Sequence, residues 1–143
     1  MGGRNRRKHH IMKHFLTLLS LVLLVAFVAC KNEGGQGTIE MISPLQVYEA
    51  VYGADSLQLI DVRTPEEFSV NHLKNAQNIC VTDDDFKQQV NVLDKEKPVY
   101  VYCRSGKRSA RAAEILKEMG FTKVYDLQGG IMEWQENDLE TVN

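Results

Sequence analysis

One short segment constrains the fold more than any other part of the sequence. Residues 98–102, Pro-Val-Tyr-Val-Tyr, are almost continuously apolar and are rich in β-branched and aromatic side chains. Strict alternation of apolar and polar residues would predict a strand with one solvated face, whereas an unbroken apolar run is typical of a strand buried on both faces. The segment therefore predicts the central strand of a parallel sheet that helices cover on both sides.

The chain alternates strand and helix patterns on either side of this segment. Four further strands are predicted, at residues 39–42, 57–60, 76–79 and 123–125. Helices are predicted from Ser43-Pro44 to about Val51, from Pro65 onward, and over residues 83–90, 107–119 and 130–137. Ser43 and Gly120 are residue types that favour a helix N-cap and the position just past a helix end. Five strands separated by helices predict an α/β fold, with a five-stranded, mostly parallel sheet flanked by helices.

The first 29 residues have the layout of a secretory signal. Five Lys and Arg residues and no acidic residue lie in this segment, and residues 15–29 carry no charge. Fifteen helical residues span about 22 Å, which is short of the roughly 30 Å hydrocarbon core of a bilayer. A basic stretch, a short apolar run and small residues are typical of a cleaved signal, so residues 1–29 are excluded from fold reasoning.

Cys30, directly after Val28-Ala29, resembles the lipidated cysteine of a bacterial lipoprotein signal, although Phe27 stands where that family has an aliphatic residue. The resemblance implies a membrane-anchored protein of the cell envelope, facing the periplasm or lying on the cell surface. The polar, Gly-rich residues 30–37 would then be a flexible tether. Cleavage without lipidation and an uncleaved anchor remain alternatives. Met12 also begins an ordinary signal, so residues 1–11 could be an upstream extension.

Composition excludes several classes of function. Five of the 17 basic residues precede residue 30, so the remainder has 12 basic against 19 acidic residues, a net charge of −7. We therefore expect no nucleic-acid binding, since that affinity depends on neutralising phosphates. Three cysteines exclude a multi-bridge disulfide scaffold. His72 is the one histidine after residue 14, so we expect no metal site, no Cys–His catalytic pair and no cofactor.

The loop after the apolar strand carries the residues suited to chemistry. Ligands of open α/β sheets bind beyond the carboxyl ends of the strands, and Cys103 stands at that end of the 98–102 strand with a predicted helix following. A helix N-terminus favours negative charge, and thiolate is the reactive form of cysteine. Four basic residues lie within the eight positions 104–111 that follow Cys103: Arg104, Lys107, Arg108 and Arg111. In an acidic body this cluster predicts an anionic substrate.

The order strand–Cys–x–x–Gly–x–Arg–Ser–helix resembles the active loop of the rhodanese (thiosulfate sulfurtransferase) domain. Three other segments resemble that family in the same order: Asp61-Val62-Arg63 with Pro65-Glu66-Glu67-Phe68, His72-Leu73-Lys74-Asn75-Ala76, and Leu127-Gln128-Gly129-Gly130-Ile131 with Trp134. The resemblance covers about residues 40–140, and we assign the domain to residues 38–143. Asn71 and Asn75 replace glycines of the family, and Asn tolerates positive φ. Cys80 replaces a common proline.

The resemblance implies a two-step sulfur transfer through a persulfide on the catalytic Cys103. Thiosulfate or a similar small anion would be the donor, and cyanide, a thiol or a partner protein the acceptor. The active loop would comprise Arg104, Ser105, Gly106, Lys107, Arg108 and Ser109, whose backbone N–H groups would hold the persulfide charge. Lys107 and Arg108 are the candidates for orienting the donor. Asp61 and Arg63 are expected to support the loop, and His72 to be structural.

Two rival functions remain. Cdc25-type phosphatases and arsenate reductases share the fold but use a C-x5-R loop, whereas this chain has C-x4-R with Arg108. The shorter loop favours sulfur over a tetrahedral oxyanion. The second rival is a persulfide carrier or interaction module that serves a partner protein. A module that only binds its partner needs no reactive cysteine, so Cys103 argues against it, whereas a carrier would use Cys103 in the same way as an enzyme.

Overall fold

The computed structural model describes residues 37–53 and 57–143. The predicted signal peptide, the lipidation of Cys30 and the tether up to residue 36 lie outside these residues. Gly37, the last residue of the predicted tether, is buried, and its backbone lies directly against that of Phe121. Within the described ranges, no helix combines the length and apolar character needed to span a bilayer.

The described residues form a five-stranded sheet in which every pairing is parallel. Its strands are β1 (Thr38–Ile42), β2 (Gln58–Asp61), β3 (Gln77–Asn78), β4 (Val99–Tyr102) and β5 (Lys123–Leu127). Their order across the sheet is β1-β5-β4-β2-β3, so β4 lies at the centre. The predicted α/β class and the central position of the 98–102 segment are confirmed.

In the described part of the chain, five helices cover the sheet and its carboxyl edge. They are α1 (Pro44–Gly53), α2 (Pro65–Val70), α3 (Phe86–Val90), α4 (Lys107–Glu118) and α5 (Gly130–Glu136). One core cluster contains buried side chains of α3 and α4, namely Phe86, Val90, Ala112, Ala113 and Leu116. A second contains buried side chains of α1 and α5, namely Val47, Val51, Ile131 and Trp134. The α2 helix has no buried residue, and it follows the carboxyl end of β2, beside the loop ends where a ligand would bind.

The central strand joins the two cores. Val99 and Val101 lie in the α3/α4 core, and Tyr102 lies in the α1/α5 core. Successive strand residues point to opposite faces, so an apolar residue at every position fills both layers. Trp134 and Tyr102 are among the largest fully buried side chains of the described residues.

The helices end close to the predicted positions, and local hydrogen bonds explain both the agreement and the differences. Gly120 adopts φ +92° after α4, and the N–H groups of Phe121 and Gly120 donate to the carbonyls of Leu116 and Lys117, which is a Schellman motif. The α3 helix begins at Phe86 rather than at Asp83, because residues 83–85 form turns in which the Phe86 N–H donates to the Asp83 carbonyl. Of the two asparagines, only Asn75 takes positive φ (+65°), and Asn71 is extended.

Candidate functional site

The carboxyl ends of β4, β2 and β5 bring three predicted segments to one edge of the sheet. Cys103 follows β4, Arg63 lies two residues past β2, and Gly129-Gly130 follow β5. Tyr102 pairs with Asp61 in register, so the chains leaving β4 and β2 start side by side. The parallel sheet therefore assembles a site from residues far apart in sequence.

Cys103 is packed beneath its own loop. The residue is 1% exposed, and its Sγ accepts the Gly106 N–H at an N···S distance of 3.2 Å. Gly106 adopts φ +96° and immediately precedes α4, so the chain turns back over the sulfur and enters the helix. A thiol at a helix N-terminus with an N–H donor on its sulfur is in surroundings that favour negative charge there.

The start of α5 binds the other side of this loop. The N–H groups of Ile131 and Met132 donate to the carbonyls of Cys103 and Arg104, at 2.9 and 3.1 Å. Gly130 is buried with φ +62°, and a Cβ there would lie 2.7 Å from the Arg104 carbonyl oxygen. The Gly-Gly pair, which the sequence identified only by resemblance, thus permits close approach of two backbones.

Arg108 is bound by an acid and does not stand free. Its two terminal nitrogens donate to the two carboxylate oxygens of Glu67, at 2.6 and 2.7 Å. Glu67 also completes a capping box with Thr64 at the start of α2. The Arg108 hydrogen bonds hold the pKa of Glu67 down at about 2, against the opposing effect of burial. The charge of Arg108 is therefore already compensated, and its expected role in orienting a donor stays a prediction.

In the sequence, Glu67 carries no signal of a role at the site beyond its place in the segment that resembles the family. The pattern Thr64-x-x-Glu67 indicates a capping box, but the ion pair joins residues 41 positions apart, which no local pattern reveals.

Asp61 and Arg63 form a buried ion pair at the end of β2. The Arg63 guanidinium donates to both Asp61 oxygens, with a closest distance of 2.6 Å, and to the backbone carbonyl of Asn71. The pair connects the end of β2 to the segment that leads into β3. Tyr102 supports the same segment, because its hydroxyl accepts the Leu73 N–H at 3.0 Å.

The other residues of the predicted active loop differ in exposure. Lys107 and Ser105 are exposed, whereas Ser109 is fully buried and its hydroxyl donates to the Gly106 carbonyl at 3.0 Å.

His72 and Cys80 lie in the segment after α2. The His72 ring stacks on Phe68 with centroids 3.8 Å apart, and its backbone pairs with Val142. Cys80 is a buried free thiol whose Sγ lies 3.1 Å from the Thr82 hydroxyl.

A cavity of about 340 Å³ opens beside the Cys103 loop. Its walls come from the end of β2, α2, the loop and α5, and its lining residues are Arg63, Glu67, Val70, Asn71, Arg104, Ile131, Met132 and Gln135. A larger cavity, of about 440 Å³, lies at the opposite, amino edge of the sheet and contains none of the predicted site residues. We therefore take the smaller cavity as the candidate binding site.

Asp126 is a buried acid that was not among the predicted site residues. It lies on β5 opposite Val101, is 4% exposed, and its Oδ1 has no hydrogen-bond partner in the described part of the chain. Burial raises its pKa to about 6, and the neighbouring Ser109 hydroxyl partly opposes that effect. An acidic residue inside a strand-like run was its one signal in the sequence.

Comparison with known proteins decides the family. A model of the rhodanese-like domain matches residues 43–137. The chain belongs to the rhodanese-like family. This match runs from the residue before α1 to the residue after α5, so it contains strands β2 to β5 but not β1. It confirms the resemblance drawn from the four sequence segments.

Two relatives and one solved structure illustrate the kinship. The uncharacterized protein YqhL of Bacillus subtilis (strain 168) is 35% identical over 117 residues, which cover 82% of this chain and 91% of that protein. Thiosulfate sulfurtransferase GlpE of Coxiella burnetii is 35% identical over 96 residues, 67% of this chain and 87% of that protein. A rhodanese-related protein from Thermoplasma volcanium superposes with a TM-score of 0.63 at 29% identity, covering 72% of this chain and 97% of that one.

Proposed function

We propose that this rhodanese-like domain is a sulfurtransferase that carries sulfane sulfur on Cys103. The single observation that carries the proposal is the Cys103 Sγ beneath the N-terminus of α4, with the Gly106 N–H on the sulfur. Kinship to a protein named thiosulfate sulfurtransferase supports the same class of reaction.

The proposed reaction has two steps in which atoms and charge balance. The Cys103 thiolate attacks the outer sulfur of thiosulfate, a new S–S bond forms, and sulfite leaves with the electron pair of the broken S–S bond. Cyanide or a thiolate then attacks the terminal persulfide sulfur, and Cys103 leaves as thiolate. Both forms of the enzyme carry a negative sulfur, so the positive end of α4 and the loop N–H groups favour each of them.

Arg104 is our candidate for the donor's anionic end. It is exposed and lines the cavity next to Cys103, whereas Arg108 is bound to Glu67. Lys107 is exposed at the first position of α4 but does not line the cavity. This assignment replaces Arg108, and it makes Lys107 the weaker candidate.

The ion pair of Arg108 also argues against a phosphatase or an arsenate reductase. Phosphate hydrolysis and arsenate reduction in those enzymes need an arginine that binds the tetrahedral oxyanion. Here both terminal nitrogens of Arg108 donate to Glu67 instead. Sulfur transfer to a partner protein uses the same persulfide, so the carrier alternative differs only in its acceptor.

Turnover of thiosulfate and cyanide tests the proposal. We expect the purified protein to form thiocyanate and sulfite, and Cys103→Ser to form neither. Cys80→Ser is the matched control, because Cys80 is the other buried free thiol among the described residues, and it should keep most of the activity. Activity that survives in Cys103→Ser would contradict the assignment, and turnover of an aryl phosphate without sulfur transfer would reverse it.

We further propose that the protein is exported and anchored through a lipid on Cys30. The charge-free residues 15–29 followed by Cys30 support this. Replacement of Cys30 by alanine should move the protein from the membrane fraction to the supernatant; an unchanged membrane fraction would favour an uncleaved anchor.

A further inference from the structure

The charges around the cavity beside Cys103 are compensated except at Arg104. Of the other charged lining residues, Arg63 is paired with Asp61 and Glu67 with Arg108. Across residues 37–53 and 57–143, no salt bridge involves Arg104. The mouth of the cavity therefore presents one uncompensated positive charge, which matches one negative charge on a ligand.

The same mouth carries large apolar side chains in contact with water. Val70, at the end of α2, is 72% exposed, and Met132, on α5, is 43% exposed. They come from two different elements and line one cavity, whose lining also includes the buried Ile131. An apolar cluster beside a polar site is typical of ligand binding rather than of a solvated face.

The volume fits a ligand larger than an inorganic anion. A cavity of about 340 Å³ lies at the lower end of small-molecule pockets, which run from roughly 300 to 1,000 Å³. Thiosulfate has five heavy atoms, two negative charges and no apolar group. It would leave the Val70 and Met132 side chains in water and would bring one charge more than the mouth compensates.

We propose that the mouth selects monoanionic organic sulfane donors, such as thiosulfonates (R–SO2–S⁻), over thiosulfate. Arg104 binds the anionic head, and Val70 and Met132 pack against the R group. This proposal rests on the proposed persulfide chemistry at Cys103. In the reaction the Cys103 thiolate attacks the sulfane sulfur of the donor, an S–S bond forms, and the bond from that sulfur to the sulfonyl sulfur breaks. The sulfinate R–SO2⁻ leaves with the electron pair.

The test compares three donors with cyanide as the common acceptor: thiosulfate, methanethiosulfonate and benzenethiosulfonate. The uncatalysed reaction with cyanide is subtracted by running Cys103→Ser in parallel. In the native protein we expect kcat/KM for benzenethiosulfonate to exceed that for methanethiosulfonate about tenfold or more, because burial of a few carbon atoms gives discrimination of this order. We also expect both thiosulfonates to exceed thiosulfate.

Val70→Ser and Met132→Gln should each reduce the ratio of kcat/KM for the phenyl and methyl donors by about threefold or more. Val92→Ser is the matched control, because Val92 is an exposed valine (79%) outside this cavity, and it should leave the ratio unchanged. Arg104→Gln should lower kcat/KM for all three donors.

The possible failures are distinguishable. Suppose that Cys103 transfers sulfur from all three donors but the ratio of kcat/KM for the phenyl and methyl donors is near one. The selectivity proposal is then overturned, and sulfur transfer stands. The same holds if this ratio is equal in Val70→Ser, Met132→Gln and Val92→Ser. An apolar rim that serves a partner protein would give that result. If no donor is turned over by the native protein, both the proposed function and this inference fail.

Discussion

Arg108 and Glu67 join the first turns of α4 and α2 through a bidentate ion pair, with distances of 2.6 and 2.7 Å. The pair connects the helix whose N-terminus follows the Cys103 loop to the helix that lines the cavity. It neutralises one of the four cations that the sequence places around the loop. Of the other three, Arg104 is the one that lines the cavity, which supports its proposed role in binding the donor.

Glu67→Gln should lower stability in a pH-dependent way. Gln preserves the capping box but removes the charge, and because both side chains are partly exposed we expect a loss of about 1 kcal/mol at pH 7. The pKa of Glu67 is lowered to about 2, so its stabilisation is present above pH 4.5 and is lost as pH falls through the folded value. Urea unfolding of both proteins at pH 7 and pH 3 measures this.

The difference between the two proteins should therefore shrink at pH 3. Glu66→Gln, in the same turn, is the control and should change stability less. An equal difference at both pH values would show that the charge of Glu67 is not what stabilises the pair.

Asp126→Asn should have the opposite pH dependence. Burial raises the Asp126 pKa to about 6, so folding favours its protonated form, and this stability is present below the unfolded pKa and lost as pH rises through about 6. Relative to the native protein, the variant should gain about 1–2 kcal/mol more at pH 7.5 than at pH 4. Chemical unfolding at the two pH values gives this difference, and no change with pH would contradict the raised pKa.

Tyr102→Phe should destabilise the domain by about 1–3 kcal/mol, because the buried Leu73 N–H would lose its acceptor. Tyr100→Phe is the matched control on the same strand. The Tyr100 ring stacks on Tyr125 at 4.8 Å, and its hydroxyl makes no hydrogen bond within residues 37–53 and 57–143. Equal losses in thermal or urea unfolding would mean that the Tyr102 hydroxyl contributes nothing specific.

Gly130→Ala should disturb the active loop directly. A Cβ at Gly130 would meet the carbonyls of Cys103 and Arg104, and its φ of +62° disfavours a side chain. We expect a loss of about 1–3 kcal/mol in stability and a larger proportional loss of sulfur transfer, since the loop must shift. Gly53→Ala, where a Cβ meets open space, is the control. A Gly130→Ala protein with native kinetics would refute the role given to the α5–loop contact.

Local patterns predicted the elements well where one segment contained the whole signal. The apolar 98–102 run predicted the central strand because both faces of β4 are buried, and Gly120 predicted the end of α4 because the Schellman motif is local. The strand at Gln77–Asn78 is shorter than predicted, since this edge strand pairs with β2 over only two positions.

The sequence did not predict the contacts between residues that are far apart along the chain. The loop cations were visible, but the Glu67 partner of Arg108 and the burial of Asp126 depend on how distant segments pack. The cavity beside Cys103 likewise combines α2 and α5, whose proximity follows from the order of strands in the sheet. The predicted signal, Cys30 and tether up to residue 36 stay predictions.

The most direct test of the central claim is the intact mass of the purified protein before and after thiosulfate or benzenethiosulfonate, beside Cys103→Ser. We predict a gain of about 32 Da, the mass of one sulfur atom, that disappears on addition of cyanide and is absent from the variant. No gain with either donor, while Cys103 remains a free and titratable thiol, would contradict sulfur transfer through this residue.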